Sequence, residues 1–233
     1  MRPLFAVAVL ALLLTGCRNQ ADAGEELNYL RTEPEEYSPE RVDTKDLLPL
    51  KAGGRWEYDV KRSKGEPSRE NVVVTSTNGK GTILESWEKG KVVSRDQYRV
   101  DDKGVWVTAV MIDEKMMPIT PDMPLLSLPI EEEKVNLWQG TIGSGKTTMA
   151  GRVWIRTTRR QKLKTPAGEF MAYRVDMRSE LSGQGRNATL LASRWFAPGV
   201  GIVKVRAVDS KVTLVKELLS QKSRNSSVTT EVK

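Results

Sequence analysis

Apolar and polar residues alternate with a period of two along most of this chain. Trp56, Tyr58 and Val60 stand between charged neighbours, and β-type runs follow at 72–77, 82–87, 92–100 and 105–112. Strand side chains point to opposite faces in turn, so this period marks strands with one face buried. Between the runs lie Asn78-Gly79-Lys80-Gly81, Lys89-Gly90-Lys91 and Asp101-Asp102-Lys103-Gly104, the residue types that tight hairpins require. The second half repeats the style at 152–164, 170–181, 188–197, 200–208 and 212–219, with Thr165-Pro166-Ala167-Gly168 as a further turn. About ten strands with short connections predict an antiparallel meander. In one run Met171, Tyr173, Val175 and Met177 form an apolar face, while Ala172, Arg174, Asp176 and Arg178 form an opposite, mostly polar one. This pattern predicts that one side of the sheet meets water. The expected fold is mainly β, a single curved antiparallel sheet or half-barrel over residues 50–219.

The period breaks at residues 116–129, where Pro118, Pro121, Pro124 and Pro129 interrupt a methionine-rich stretch. Proline cannot donate to a sheet ladder, so this segment is expected to be a loop packed on the domain's own core rather than a central strand. Residues 18–49 are polar, acidic and proline-punctuated, which predicts a tether following Cys17. Residues 220–233, rich in Ser, Thr and Lys, are expected to form a frayed tail.

The N-terminus carries Arg2, an uncharged apolar run at 4–14, and then Leu14-Thr15-Gly16-Cys17. That is the layout of an export signal over residues 1–16. The run of roughly a dozen residues is too short for a helix spanning a bilayer, which needs ~20. Leu14-Thr15-Gly16-Cys17 resembles the lipobox of bacterial lipoproteins. The resemblance implies acylation of the Cys17 thiol, cleavage before Cys17, and anchoring by lipid in the cell envelope. The expected location is the outer membrane, facing the periplasm.

Cys17 is the only cysteine and there is no histidine. An intrachain disulfide is therefore impossible, and the usual zinc, copper and Cys/His nucleophile constellations lack their residues. No metal or cofactor is expected. The formal net charge is +7, which suits anionic head groups or acidic polymers but equally a solvated lysine-rich surface.

Gly140-Thr141-Ile142-Gly143-Ser144-Gly145-Lys146-Thr147 matches the phosphate-cradling pattern G-x-x-x-x-G-K-[ST]. That loop works only between a buried parallel strand and a helix whose N-terminus points N–H groups at the phosphates. Residues 149–158 are β-branched and aromatic and predict a strand instead. The segment is read as a Gly/Ser loop between strands. Arg152, Trp154, Arg156, Thr158, Arg160 and Lys162 place cations and an indole on one strand face, which could grip phosphates or acidic glycans. The plainer expectation is a solvated face with Trp154 packed at its edge, and no nucleic-acid partner is expected. Asp101 with Asp102, and Glu131-Glu132-Glu133, show no pairing of the kind that glycosidase chemistry needs.

Leu48-Pro49-Leu50-Lys51-Ala52-Gly53-Gly54-Arg55-Trp56-Glu57-Tyr58, Thr165-Pro166-Ala167-Gly168-Glu169-Phe170 and Trp195-Phe196-Ala197-Pro198-Gly199-Val200-Gly201-Ile202-Val203-Lys204 occur in this order. Together they resemble the motifs of the TapB family of bacterial envelope β domains, over residues 48–219. The resemblance implies a curved antiparallel sheet similar to envelope half-barrel carriers, with no catalytic residues to carry over. Independently of it, Trp56 and Trp195 are expected to point into the core. The expected function is a non-enzymatic, lipid-anchored module that binds an amphipathic ligand or an envelope protein partner. The alternative is a hydrolase of envelope polymers.

Overall fold

The computed structural model describes Glu36 and residues 42–183, 185–209 and 212–222. Cys17 and the expected export signal lie outside them. Twelve strands run in chain order: β1 Arg55–Arg62, β2 Ser68–Asn78, β3 Gly81–Glu88, β4 Lys91–Asp101, β5 Gly104–Ile112, β6 Lys115–Ser127, β7 Val135–Ile142, β8 Met149–Thr165, β9 Gly168–Gly183, β10 Arg186–Ala197, β11 Gly201–Val208 and β12 Thr213–Lys222. Each pairs antiparallel with its sequence neighbours, and β1 also pairs with β12, so the sheet closes on itself as a barrel. The expected half-barrel of about ten strands is thus corrected to a closed barrel of twelve.

The two added strands are β6 and β7. β6 accommodates its prolines because its ladder with β5 shifts register at Val105/Trp106 and at Val107/Ala109. On its other side it pairs with β7 only through Ile119 and Thr120. Most of that edge therefore demands no N–H donor from the prolines. Ile119, Met123, Leu125 and Leu126 are buried, so the segment does pack on the domain's own core.

Register fixes the faces. Trp56, Tyr58 and Val60 point inward, while Glu57, Asp59 and Lys61 between them are partly or fully exposed. Along β1 apolar side chains thus face the barrel interior and charged ones its outside, the reverse of the outward apolar band of a membrane-spanning strand. One end is plugged. A 3-10 turn, Lys45–Leu47, buries Leu47 and Leu48 beside Trp56, whose indole Nε1 donates to the Val200 carbonyl at 2.7 Å. Gly199 N–H donates to the Asp46 carbonyl across the same end. Barrel contacts therefore begin ahead of Leu50. Further upstream, Val42 N–H donates to the Tyr173 hydroxyl at 2.7 Å, and Lys162 N–H to the Glu36 carbonyl at 2.9 Å.

The polar faces of β8 and β9 do not meet water as expected. Arg156, Arg174, Asp176 and Arg178 are all buried, Asp176 completely. The register sets Asp176 opposite Arg156 on β8 and Ser193 on β10. Its carboxylate takes ion pairs from Arg156 and Arg174 at 3.0 Å and a hydrogen bond from Ser193 Oγ at 2.7 Å. Trp154 is buried on this outer face, with the Arg152 and Arg178 guanidinium groups over its ring. Trp195 is buried as expected but points outward, between Arg174 and Lys204. Its neighbour Phe196 supplies the inward ring.

Candidate functional site

A barrel of eight strands has an interior that its side chains just fill, and sixteen leave a channel. Twelve fall between, and this interior is partly filled. The inward row Leu84, Asp96 and Val110 runs across β3, β4 and β5, and the row Lys216, Val205 and Arg194 runs across β12, β11 and β10. Of these six, Leu84 is packed, whereas the other five keep part of their surface accessible although they face into the barrel. They line a hollow above the packed plug of Trp56, Tyr58, Tyr98 and Phe196.

The hollow carries charge. Glu70, directly beside Tyr58 on β2, is 1 % exposed, and Lys216 Nζ reaches its carboxylate at 2.7 Å. Asp96 lies within the field of Arg194, Lys216 and Glu70; burial pushes its carboxyl above the usual range, Arg194 and Lys216 pull it back, and Glu70 adds to the rise. Burial also raises the phenols of Tyr58 and Tyr98, and Tyr58 uses its hydroxyl to donate to the Ile202 carbonyl at 2.7 Å. Nearer the unplugged end, Arg62 and Glu88 pair at 2.6 Å. Burial lifts the Glu88 carboxyl, but hydrogen bonds with Arg62 and Ser68 outweigh it and hold the group below its ordinary value. Val72, Val110 and Leu214, each partly buried, supply apolar wall, backed by the packed Val60, Ile155 and Met177. The arrangement offers opposite charges within apolar walls, which suits an amphipathic occupant.

The glycine-rich motif has a structural account. Gly140 lies in β7 and pairs with Gly151 in β8; a Cβ at Gly140 would stand 2.5 Å from the Trp138 ring, and one at Gly151 2.9 Å from it. The two glycines make room for the indole. Gly143 and Gly145 take positive φ in the turn after β7, and the Thr147 hydroxyl donates to the Ser144 carbonyl at 2.8 Å. The turn leads into the antiparallel strand β8, in place of the helix that phosphate binding requires. Among the described residues no cluster of three metal-ligating side chains occurs, and no helix is long and apolar enough to cross a membrane.

A family model described as DUF3108-like matches residues 49–219. The chain belongs to this family. The match spans the barrel almost from its plug to the end of β12. Among solved structures, the DUF3108-like barrel is similar to a candidate lipoprotein from Parabacteroides distasonis, at 14 % identity over 78 % of this chain and 100 % of that one, with a TM-score of 0.48. It is also similar to the hypothetical lipoprotein YmcC from Escherichia coli, at 10 % identity over 90 % of this chain and 100 % of that one, with a TM-score of 0.42. A candidate exported protein with a YmcC-like fold from Bacteroides fragilis matches at 14 % identity over 76 % of this chain and 98 % of that one, TM-score 0.37. No curated protein matches the chain.

Sequence reasoning missed Glu70, Asp96, Arg194 and Lys216. Three of them carry a local signal, a charge interrupting an inward stripe: Glu70 below Val72 and Val74, Arg194 between Ala192 and Phe196, Lys216 between Leu214 and Leu218. The cation row on β8 does not converge on the hollow. Arg152, Trp154 and Arg156 lie on the outer face, and a register shift between Thr157 and Arg160 sets Arg160 and Lys162 opposite Tyr173 and Met171 instead. Arg156 is buried in the Asp176 network, while Arg152 and Lys162 at the ends are exposed.

Proposed function

We propose that this DUF3108-like protein is a lipid-anchored envelope lipoprotein whose barrel binds an amphipathic ligand in its interior without chemical turnover. The observation that carries the reading is the partly filled interior, in which Asp96, Arg194 and Lys216 keep accessible surface among apolar wall residues. A folded domain rarely maintains buried charge facing unfilled space, because burying charge is costly unless something pairs it. Lipid anchoring rests on Arg2, the apolar run at 4–14 and Cys17; acyl chains contribute ~0.8 kcal/mol per buried methylene, and two or more make attachment stable. The TapB-like motifs, spanning nearly the same residues as the family match, support an envelope carrier. An outer-membrane position facing the periplasm is part of the same proposal.

The binding test uses a fluorescent apolar dye such as N-phenyl-1-naphthylamine with the purified full chain. Dye emission should rise on binding, and Ser94→Trp, which fills the hollow from an inward position on β4, should abolish the rise without lowering the melting temperature. Absent dye binding, or binding unchanged in Ser94→Trp, sinks the interior site. Separately, Cys17→Ser should move the protein from membrane to soluble fractions; retention after a high-salt wash rules out the anchor.

A further inference from the structure

The charges of the hollow fall into two kinds. Glu70 and Lys216 neutralise each other in contact. Asp96 and Arg194 do not. Among the described residues no cation comes within ion-pair distance of the Asp96 carboxylate and no carboxylate within that of the Arg194 guanidinium, whose close polar contact is Met177 Sδ at 3.0 Å. They approach from β4 and β10 near enough to feel each other's charge, and both keep accessible surface. A guanidinium and a carboxylate held apart inside one apolar-walled space each lack a counter-charge of opposite sign. One molecule bearing both signs would satisfy them together.

Resting on the interior-site reading, we infer that the occupant is a zwitterionic amphiphile: an anionic phosphate or carboxylate on Arg194, a primary ammonium on Asp96, and an acyl chain along Val72, Val110 and Leu214. A purely anionic amphiphile would meet Arg194 but bring its charge toward Asp96 and Glu70. A purely cationic one would reverse the problem at Arg194 and Lys216. Arg194 presents a planar fork suited to bidentate contact with phosphate or carboxylate oxygens. An ionised Asp96 only accepts hydrogen bonds, so an ammonium with three N–H donors serves it better than a quaternary ammonium, which has none. The accessible apolar wall gives the chain its place, and the Glu70–Lys216 pair leaves the local charge balanced once both head-group contacts form.

Native mass spectrometry of the full chain, released from detergent, compares dihexanoyl phosphatidylethanolamine, dihexanoyl phosphatidylcholine, dihexanoyl phosphatidylglycerol and chain-free phosphoethanolamine. The ethanolamine lipid should bind about tenfold more tightly than the glycerol lipid, the size of one charge-assisted contact, with the choline lipid between them. Phosphoethanolamine alone should bind more weakly than its lipid. Asp96→Asn should erase the preference for ethanolamine over glycerol, Asp96→Glu should keep it, and Arg194→Gln should weaken all three lipids. Melting curves verify that each variant is folded. Equal binding of the ethanolamine and glycerol lipids, an Asp96→Asn variant that keeps its preference, or a head group that binds as tightly as its lipid overturns the inference while the dye assay can still succeed. If the dye assay fails as well, the interior site itself is gone.

Discussion

Asp96 shows how a site residue can oppose stability. Its carboxyl faces Arg194 on β10, Lys216 on β12, Glu70 on β2 and, on its own strand, Tyr98. Burial outweighs the two cations, so its pKa in the folded state lies above that in the unfolded chain. Folding therefore favours the protonated form. The contribution is fully present below the unfolded value of about 3.9 and is lost as pH rises through the higher folded value. At neutral pH Asp96→Asn should accordingly melt at a higher temperature than the parent, and the difference should vanish as the pH is lowered toward the unfolded value. Thermal melts across this range check it; a less stable Asn variant at pH 7 shows a satisfied carboxylate instead. Gly140 and Lys146 give a contrast within one motif. A Cβ at Gly140 would lie 2.4 Å from the Thr120 carbonyl oxygen, and overpacking of this kind costs ~1–3 kcal/mol. Gly140→Ala should thus lose that much in a denaturant titration, while Lys146→Ala, an exposed substitution in the β7–β8 turn, should change neither stability nor dye binding. A nucleotide loop would give the opposite order of importance. At this scale Trp56 was legible, because Tyr58 and Val60 share its face. Trp195 was half legible: its size announces burial, but the face on which it is buried depends on β9 and β11.

At the scale of the element, ten strands were readable from alternation and turn residues, and two were not. β6 and β7 were hidden by prolines and glycines whose usual meaning is loop. Their pairing depends on register shifts and on a two-residue ladder, features set by neighbours distant in sequence. The faces of β9 were hidden differently. Alternation shows that Arg174, Asp176 and Arg178 share a side, but a polar face wetted by water and one paired to its neighbours have the same local sequence. Only the register that sets Arg156 and Ser193 opposite Asp176 separates the two cases. Hence Asp176→Ala should be costly, about 3–5 kcal/mol as for other buried ion pairs stripped of one partner. The solvated face expected from sequence would lose under ~1 kcal/mol. Urea titration distinguishes these values directly.

The whole molecule depends on closure, which no local pattern announces. β12 supplies three things at once: the ladder to β1 from Arg55 opposite Lys222 to Arg62 opposite Leu214, the buried Leu218 in the plug, and Lys216, whose ammonium neutralises the nearly inaccessible Glu70. The polar residues 220–222 resemble the start of a tail, yet they pair with Glu57, Trp56 and Arg55 and complete the seam. The candidate site was illegible for the same reason. Asp96 and Arg194 are far apart in sequence, and only a closed barrel turns both toward one space. Closure also sets a sharp limit on truncation. A chain ending after Lys222 retains every β1–β12 pair and should melt like the full chain. One ending after Leu219 loses the partners of Arg55, Trp56 and Glu57 but keeps Lys216 and Leu218, and should melt at a lower temperature while still folding. One ending after Val212 opens both flanking edges and strands the Glu70 carboxylate without its counter-charge, an arrangement that costs several kcal/mol against a typical net stability of ~5–15 kcal/mol. It should be unfolded or aggregated, because the freed edges of β1 and β11 offer unpaired N–H and C=O groups to other chains. Circular dichroism melts and gel filtration of the three truncations rank them. A soluble, cooperatively melting chain that ends after Val212 would show that the barrel does not need its seam.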